Sequence, residues 1–428
     1  MKVFVEAYGC TLNQGDGRWI ARRLSEAGHR IVEGPDGADA CVLVTCTVIE
    51  TTERRMLKRM RQLAGKDRRL VVAGCMASVQ TDVIKEAVPS ADVVPPTQMD
   101  RIADLLPSAA DAEYECFEPR STVDGIIPIA QGCLASCTYC ISTVARGPLR
   151  SYPPEEVVAE VSNALKRGRL EIRLTSLDTG QYGRDLGINL AVLLGQVCQA
   201  EGSFRVRVGM MSPMMLRPII DDLLEAYKQE KLFKFLHLPV QSGDDEVLRR
   251  MKRGYTVEQF WDVIEAFRRE INPLTLATDI IVGFPGEGEE EFENTLELVR
   301  ELRPDILNIT RFSPRPGTPA AAIEGQVPSW VMKERSRELT KLRFEIGRET
   351  HRRLIGSSLR VLTTEEGKWE TTLARSDAYR PVVLPGRWPL GEFLDVRVEG
   401  STETYLQGRP LRGVAAQAPQ ATGTAPSP

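Results

Sequence analysis

Three short apolar runs, KVFVEAYG (2–9), ACVLVT (40–45) and RLVVAG (69–74), each end in turn residues. Amphipathic stretches such as GRWIARRLSEAG (17–28) and ERRMLKRMRQLAG (53–65) separate them. Alternation of β and α patterns over about 100 residues predicts a doubly wound parallel sheet. A second series follows: GIIPIAQ (125–131), EIRLTS (171–176), FRVRVG (204–209), FKFLHLP (233–239), LTLATDIIVG (274–283) and DILNITRF (305–312). Helical patterns such as EEVVAEVSNALKRG and EFENTLELVRELR lie between these runs. Six βα units predict a curved, partly open (β/α)6 barrel. A long charged helix is expected from about Pro328 to Leu354. Four short strand patterns beyond it (SLRVLTTEE, TTLARSD, YRPVVLP and EFLDVRVEG) predict a small antiparallel β-barrel of about 60 residues. The α/β chain thus divides into an N-terminal doubly wound α/β domain (1–110), the central barrel (120–352), the C-terminal β-barrel (353–412) and an uncharged Ala/Pro/Thr/Gly tail (413–428) expected to be disordered.

The chemistry-bearing residues collect where such folds bind ligands. Cys10, Cys46 and Cys75 each follow one of the first three strands. The carboxyl ends of parallel strands form the ligand crevice, so the three should converge on one rim. In the second series the Gly, Pro and polar segments also follow the strands: QGC, SLDTGQYGRD, VGMMSP, LPVQSGDD, VGFPGE and SPRPGTPA. No apolar run is long enough to span a bilayer, and MKVFVEAYGC lacks the apolar stretch of a signal peptide. A cytoplasmic protein is expected. In that reducing compartment nine cysteines read as metal ligands, catalytic thiols or small core residues rather than disulfides. Cys41 and Cys198 lie in apolar patterns and read as core, and Cys116 is assigned no role. The net charge of −4 excludes a global pull on nucleic acid and leaves local basic patches, ERRMLKRMRQLAGKDRR (53–69) and the 331–353 helix.

QGCLASCTYC (131–140) is the sharpest signal. Cys133, Cys137 and Cys140 supply three thiolates where a closed structural site wants four. Zinc with a remote fourth ligand is the competing reading. CxxxCxxC after the first strand of a barrel resembles the radical S-adenosylmethionine (SAM) enzymes, and Tyr139 fits that family as well. The resemblance implies a [4Fe-4S] cluster whose open iron chelates SAM, and reductive cleavage of SAM to a 5′-deoxyadenosyl radical. YGC with Asn13, TCTV, GCMA, Arg146–Gly147, LPVQSG (238–243), DIIVGFPGE (279–287) and PRPGTPA (314–320) extend the resemblance over about residues 2–412. The chain resembles the methylthiotransferases, with a C-terminal RNA-binding TRAM domain. That family implies a second [4Fe-4S] cluster on Cys10, Cys46 and Cys75, which carries the sulfur to be transferred.

The segments LTSLDTGQYGRDLGINL (174–190), ARGPLRSYP (145–153) and RFSPRPGTPAA (311–321) are most similar to the archaeal and eukaryotic branch that acts on N6-threonylcarbamoyladenosine (t6A) in tRNA. ISTV (141–144) departs from the basic residues that branch often carries after the third cysteine. The expected product is the C2-methylthio derivative of t6A at position 37 of the anticodon loop, made with a second SAM as methyl donor and an external reducing electron donor. The sulfur source is not legible. Isopentenyladenosine-tRNA and ribosomal-protein methylthiotransferases are the rivals within the family, and a two-cluster electron-transfer protein is the rival outside it. The resemblance and the strand-end positions place Ser176, Asp178, Arg207, His237, Gln241, Ser242, Gly283 and Glu287 with Tyr139 around SAM. They place Asn13, Arg146, Arg311 and Arg315 toward the substrate, the last two because an arginine fork suits phosphate or a threonyl carboxylate.

Overall fold

The computed structural model describes residues 1–48, 50–65, 68–106 and 123–411; Cys116 and the expected tail lie outside them. Strands β1 (Lys2–Ala7), β2 (Arg30–Val32), β3 (Ala40–Thr45), β4 (Arg69–Gly74) and β5 (Asp92–Val94) form a parallel sheet in the order β2-β1-β3-β4-β5. Two of the five, β2 and β5, span three residues each, too few for an apolar period to register in the sequence. Val42, Val44, Val71 and Ala73 bury one face against the helix Thr11–Glu26, and Leu43, Leu70 and Val72 bury the other against the helix Glu50–Leu63. Strand order reverses between β1 and β3, the place where a doubly wound sheet opens its crevice.

The central barrel begins with β6 (Asp124–Pro128). The run expected to continue to Gln131 leaves β9 after Ile129, whose N–H donates to Thr175 O at 2.9 Å while its carbonyl accepts from Tyr152 N at 2.9 Å. A separate pair, β7 (Ala130–Gln131) with β8 (Arg150–Ser151), then turns the chain toward the N-terminal domain. Strands β9 (Glu171–Thr175), β10 (Arg205–Val208), β11 (Phe235–His237), β12 (Thr275–Val282) and β13 (Ile306–Arg311) complete the six. The sheets β10-β9-β6 and β11-β12-β13 meet through a parallel bridge of Val206 with Leu232. Val161, Leu194, Leu236, Phe260 and Val299 fill the space between strands and outer helices, each contributing about 1.5–3 kcal/mol by burial.

The helix Ser329–Arg352 leads to β14 (Ser358–Glu366), β15 (Thr371–Ser376), β16 (Pro381–Pro385), β17 (Phe393–Ser401) and β18 (Leu406–Pro410), a closed barrel in the order β14-β15-β16-β18-β17. It seats on the base of the central barrel, where the strands begin. Tyr379 Oη donates to Glu171 at 2.8 Å, Arg205 Nε donates to Asp377 at 2.9 Å, and Arg380 pairs with Asp305 at 2.7 Å. The N-terminal domain lies along the open β6 edge, where the helix Thr11–Glu26 packs on β6 and Arg18 pairs with Asp124 at 2.9 Å, and it meets the far end of the barrel through Arg146 and Arg315.

Two buried histidines predict an acid-sensitive fold. Burial holds His29 and His351 below the usual imidazole range, although His351 Nδ1 lies 2.9 Å from the Thr402 carbonyl. The unfolded chain binds protons at about pH 6.5 where the folded chain does not, so their contribution is present above that pH and is lost as pH falls toward the depressed native values. The thermal unfolding midpoint should fall between pH 7 and pH 5, and His351→Gln should flatten that fall. An unchanged slope in the variant would assign the acid sensitivity elsewhere.

Candidate functional site: two cysteine triads at one interdomain interface

Cys10, Cys46 and Cys75 follow β1, β3 and β4, on both sides of the strand-order reversal. Gly9, at φ +103°, brings the first of them in: a Cβ there would stand 2.6 Å from Cys46 Cβ and 3.1 Å from its sulfur. Cys10 is exposed, whereas Cys46 and Cys75 are buried. Burial raises the Cys46 thiol, with backbone N–H groups of Val48 and Thr47 and the Cys10 charge as further influences. Burial pushes Cys75 up to about 11 against the pull of Arg146, and the neighbouring Cys10 and Cys46 charges raise it too. The three thiols thus sense one another across chain separations of 29 residues or more.

The second triad lies on the loop after β7. Gly132, at φ +71°, allows the turn, since any Cβ would fall 1.8 Å from the Pro148 carbonyl oxygen. Cys133 N donates to Gly147 O and Cys140 N to Cys137 O, both at 3.1 Å. Gln181 clamps the loop, accepting from Leu134 N at 2.7 Å and donating to Gly132 O at 3.4 Å. Arg253 donates to Cys137 Sγ at 3.2 Å and to Tyr139 Oη at 3.3 Å, and its other nitrogens reach Tyr255 and the Pro239 carbonyl. Burial pushes Cys133 up to about 11.

One side chain joins the triads. Cys140 caps the short helix Ile141–Arg146, which packs on the helix Cys75–Val79. Its last residue, Arg146, is fully buried and donates to Gln131 (2.6 Å), Asn13 (2.7 Å) and Asp16 (2.5 Å), while the Cys75 thiol lies 3.8 Å from the same Asn13 oxygen. Burial works against the guanidinium charge, but Asp16 and the Cys75 thiolate outweigh it and raise its pKa. Asn13 spends its amide on the Tyr8 and Thr45 carbonyls. A second clasp closes the interface from the far side. Arg315 is buried and pairs with Glu53 and Thr47, while Gln80 ties Glu53 to Thr47.

The other expected residues occupy distinct places. Ser176, just past β9, keeps a buried hydroxyl with no partner among the described residues. Asp178 Oδ1 accepts from Gly180 N at 3.0 Å and Ser212 N at 3.1 Å, and burial pushes its carboxyl up to about 6. His237 Nε2 lies 2.9 Å from Asp279 Oδ1, which Asn308 also approaches at 2.7 Å. Gln241 is held at φ +76° by Asp279 O, and Ser242 faces Thr295. Glu287 accepts from Gly283 N at 2.9 Å and pairs with Arg335 at 2.8 Å, so its carboxylate fastens the long helix to the turn after β12. Arg207 lies over the Phe235 and Tyr379 rings at 4.9 and 5.4 Å, toward the base. Arg311 ends β13 and is exposed. Cys41 and Cys198 pack in apolar clusters.

Sequence reading did not single out Arg253, Gln181, Asp16 or Glu53. Asp16 had a signal: Asn13 and Asp16 are polar residues three apart on the inner face of an amphipathic helix. Arg253 had none, because nothing in MKRGY (251–255) announces a contact with a loop more than 100 residues earlier.

The donor set suits iron–sulfur clusters. Three thiols per site, with no fourth Cys or His beside the CxxxCxxC loop in sequence and Cys41 packed in an apolar cluster, match a cubane that keeps one iron open. The orphaned Ser176 hydroxyl at the barrel mouth suits a bound SAM.

Comparisons with known proteins agree with the architecture. The Radical SAM superfamily model matches residues 127–299, the model described as "Uncharacterized protein family UPF0004" matches 2–95, and the TRAM domain matches 352–411. The fold is similar to that of a radical S-adenosylmethionine methyltransferase from Kitasatospora setae, with a TM-score of 0.57 at 13% identity over 75% of this chain and 76% of that one. Fold and site together define a radical SAM protein with an added N-terminal α/β domain. The chain is 44% identical to a probable threonylcarbamoyladenosine tRNA methylthiotransferase of Pyrococcus horikoshii, over 95% of this chain and 99% of that one. It is 42% identical to that of Archaeoglobus fulgidus (98% and 100%) and 35% identical to the Danio rerio threonylcarbamoyladenosine tRNA methylthiotransferase (96% and 78%). The chain belongs to the threonylcarbamoyladenosine tRNA methylthiotransferase family.

The Arg146 network yields a test. Removing one partner of a buried ion pair leaves the other charge stranded, at a cost of about 3–5 kcal/mol. Arg146→Met should lower stability on that scale. The Arg146→Met/Asp16→Leu double variant should lose less than the sum of the single changes. Additive losses in chemical denaturation would show that the two do not act as a pair.

Proposed function

We propose that this protein attaches a methylthio group to C2 of N6-threonylcarbamoyladenosine in tRNA, at position 37 beside the anticodon. One observation carries the reading: two open cysteine triads lie at a single interface, where the helix that follows Cys140 and ends in Arg146 packs on the helix that begins at Cys75. Cys133, Cys137 and Cys140 would hold one [4Fe-4S] cluster with SAM beside Ser176, and Cys10, Cys46 and Cys75 would hold the second. Bound there, these groups supply the reducing electron, the carbon-centred radical that takes hydrogen from C2, the sulfur and the methyl group.

The chain supplies placement and dryness, as proteins do around demanding cofactors. Arg253 and Arg146 each bring a fixed positive charge to one thiolate of a triad. Exposed Leu134 and Val144, on the cysteine loop and the helix after it, offer apolar surface to a splayed base. Arg311, exposed at the end of β13, is the free guanidinium for the threonyl carboxylate, whereas the Arg315 fork is engaged by Glu53. The electron donor is a separate reductant, and the working compartment is the cytoplasm. No helix of the described residues is long and apolar enough to cross a membrane.

The decisive comparison offers the reconstituted enzyme tRNA bearing t6A, tRNA bearing isopentenyladenosine, and unmodified tRNA. Only the first should gain the mass of a methylthio group. Modification of the second would assign the other tRNA branch, and methylthio label in ribosomal protein alone would assign the third. Cys133→Ala should lose about four irons per chain and all SAM cleavage. Cys46→Ala should still cleave SAM yet transfer no sulfur. A Cys46→Ala enzyme that thiolates tRNA at the normal rate would sink the role given to the N-terminal triad, and SAM cleavage without any transfer substrate would favour another radical reaction.

A further inference from the structure

The helix Ser329–Arg352 runs from the barrel mouth to the base. Near its start, Met332 packs against the turn at Gly283 and Arg335 pairs with Glu287. Near its end, Gly347 is pressed against the Glu403 carbonyl, and His351 reaches the Thr402 carbonyl. Arg335, Leu339, Ile346, Gly347 and His351 are its buried positions, and the helix lies alongside β13.

The opposite face is segregated by charge and carries exposed aromatic rings. Lys333, Arg337, Lys341, Arg348 and Arg352 are all exposed. At 100° per residue they fall within an arc of about 100°. Glu334, Glu338, Glu345 and Glu349 gather on the neighbouring arc, each three residues before one of the cations, a spacing that supports the helix. Lys333–Arg337, Arg337–Lys341 and Arg348–Arg352 place like charges four residues apart, so the two signs form separate stripes and the basic stripe is open along its length. Lys333, Arg337 and Arg352 have no ion-pair partner among the described residues; Lys341 meets Glu345 only at 4.0 Å, and Arg348 pairs with Glu403. Two large aromatic side chains share the basic arc: Trp330 is 67% exposed and Phe344 is 39% exposed. Cations interleaved with exposed aromatics are the surface that RNA uses, phosphates meeting the cations and unpaired bases stacking on the rings.

We infer that this face is the track along which the tRNA lies, a surface that rests on the functional reading above and extends it. From Lys333 to Arg352 it covers about 28 Å at 1.5 Å per residue. One RNA can therefore touch the barrel mouth and the C-terminal barrel at once. Trp330, at the mouth end, stacks a loop nucleotide next to the base that enters the barrel. The cations from Lys333 to Arg352 follow the phosphates of the stem toward the base.

The test measures tRNA binding to the reconstituted full-length enzyme by fluorescence anisotropy across a salt series. K333Q/R337Q/K341Q should weaken binding about tenfold or more in 0.1 M salt and flatten the log K against log [salt] slope by about 2 to 3. W330A should weaken it at least about fivefold with the slope kept. Far-ultraviolet circular dichroism and the unfolding midpoint report whether both variants are folded, and E334Q/E338Q, which removes repulsion, should bind at least as tightly as the parent. Parent-like affinity and slope in the folded triple variant overturn the track while leaving the enzyme a tRNA-binding protein. Absence of tRNA binding by the parent overturns the functional reading and the track together. Displacement of tRNA by polyglutamate as effectively as by competing tRNA would assign the face to an acidic protein instead.

Discussion

A single buried guanidinium sets the geometry on which the rest depends. Arg146 sits where the N-terminal domain meets the barrel, with Asn13 and Asp16 on one side, Gln131 on the other and Cys75 alongside. A charge so enclosed needs partners, because an unpaired one costs several kcal/mol. Asp16 and Asn13 supply them from the N-terminal domain and Gln131 from the barrel. The same docking packs the helix after Cys140 on the helix after Cys75. These contacts hold the two triads at a set separation.

The barrel gives the molecule a direction. The N-terminal domain meets its mouth through Arg146 and Arg315 and its open edge through the helix Thr11–Glu26 on β6. Its base is closed by the C-terminal barrel, which inserts Tyr379 against Phe233 and Phe235 and ties Asp377 and Arg380 to strand starts. The cysteine loop and Ser176 follow strands at the mouth end, and exposed Arg311 ends one there. This polarity also sets Arg207 and Glu287 apart from the other expected SAM contacts. Arg207 spends its guanidinium on two rings toward the base, and Glu287 fastens the long helix to its turn.

Each triad keeps one arginine at one sulfur, Arg253 at Cys137 and Arg146 at Cys75. Burial alone disfavours thiolates, as the raised Cys133 and Cys75 thiols show. A fixed cation offsets part of that cost and favours the charged ligand form needed to bind iron. The two sites thus solve the same electrostatic problem with unrelated elements, one a loop after the helix Asp245–Arg250 and the other the end of the helix Ile141–Arg146.

What the sequence determined by itself was local or periodic. The βα alternation, the cysteines at strand ends, the CxxxCxxC loop and the charged helix are all written in adjacent residues, because period, turn chemistry and close ligand spacing act over a few positions. Two three-residue strands and the change of partner at Ile129 escaped, since so short a run carries no period and the residue that takes over the ladder, Tyr152, lies 23 positions further on. The partners of Arg146, Arg253 and Arg315 were decided only by tertiary structure. Arg315 and Glu53 stand 262 positions apart, and Arg253 and Cys137 stand 116 apart. An arginine is chemically able to bind phosphate, a carboxylate or a thiolate, and its sequence neighbours do not choose among them. The choice is made when burial removes water and leaves the guanidinium with whichever acceptors the packing has brought within reach.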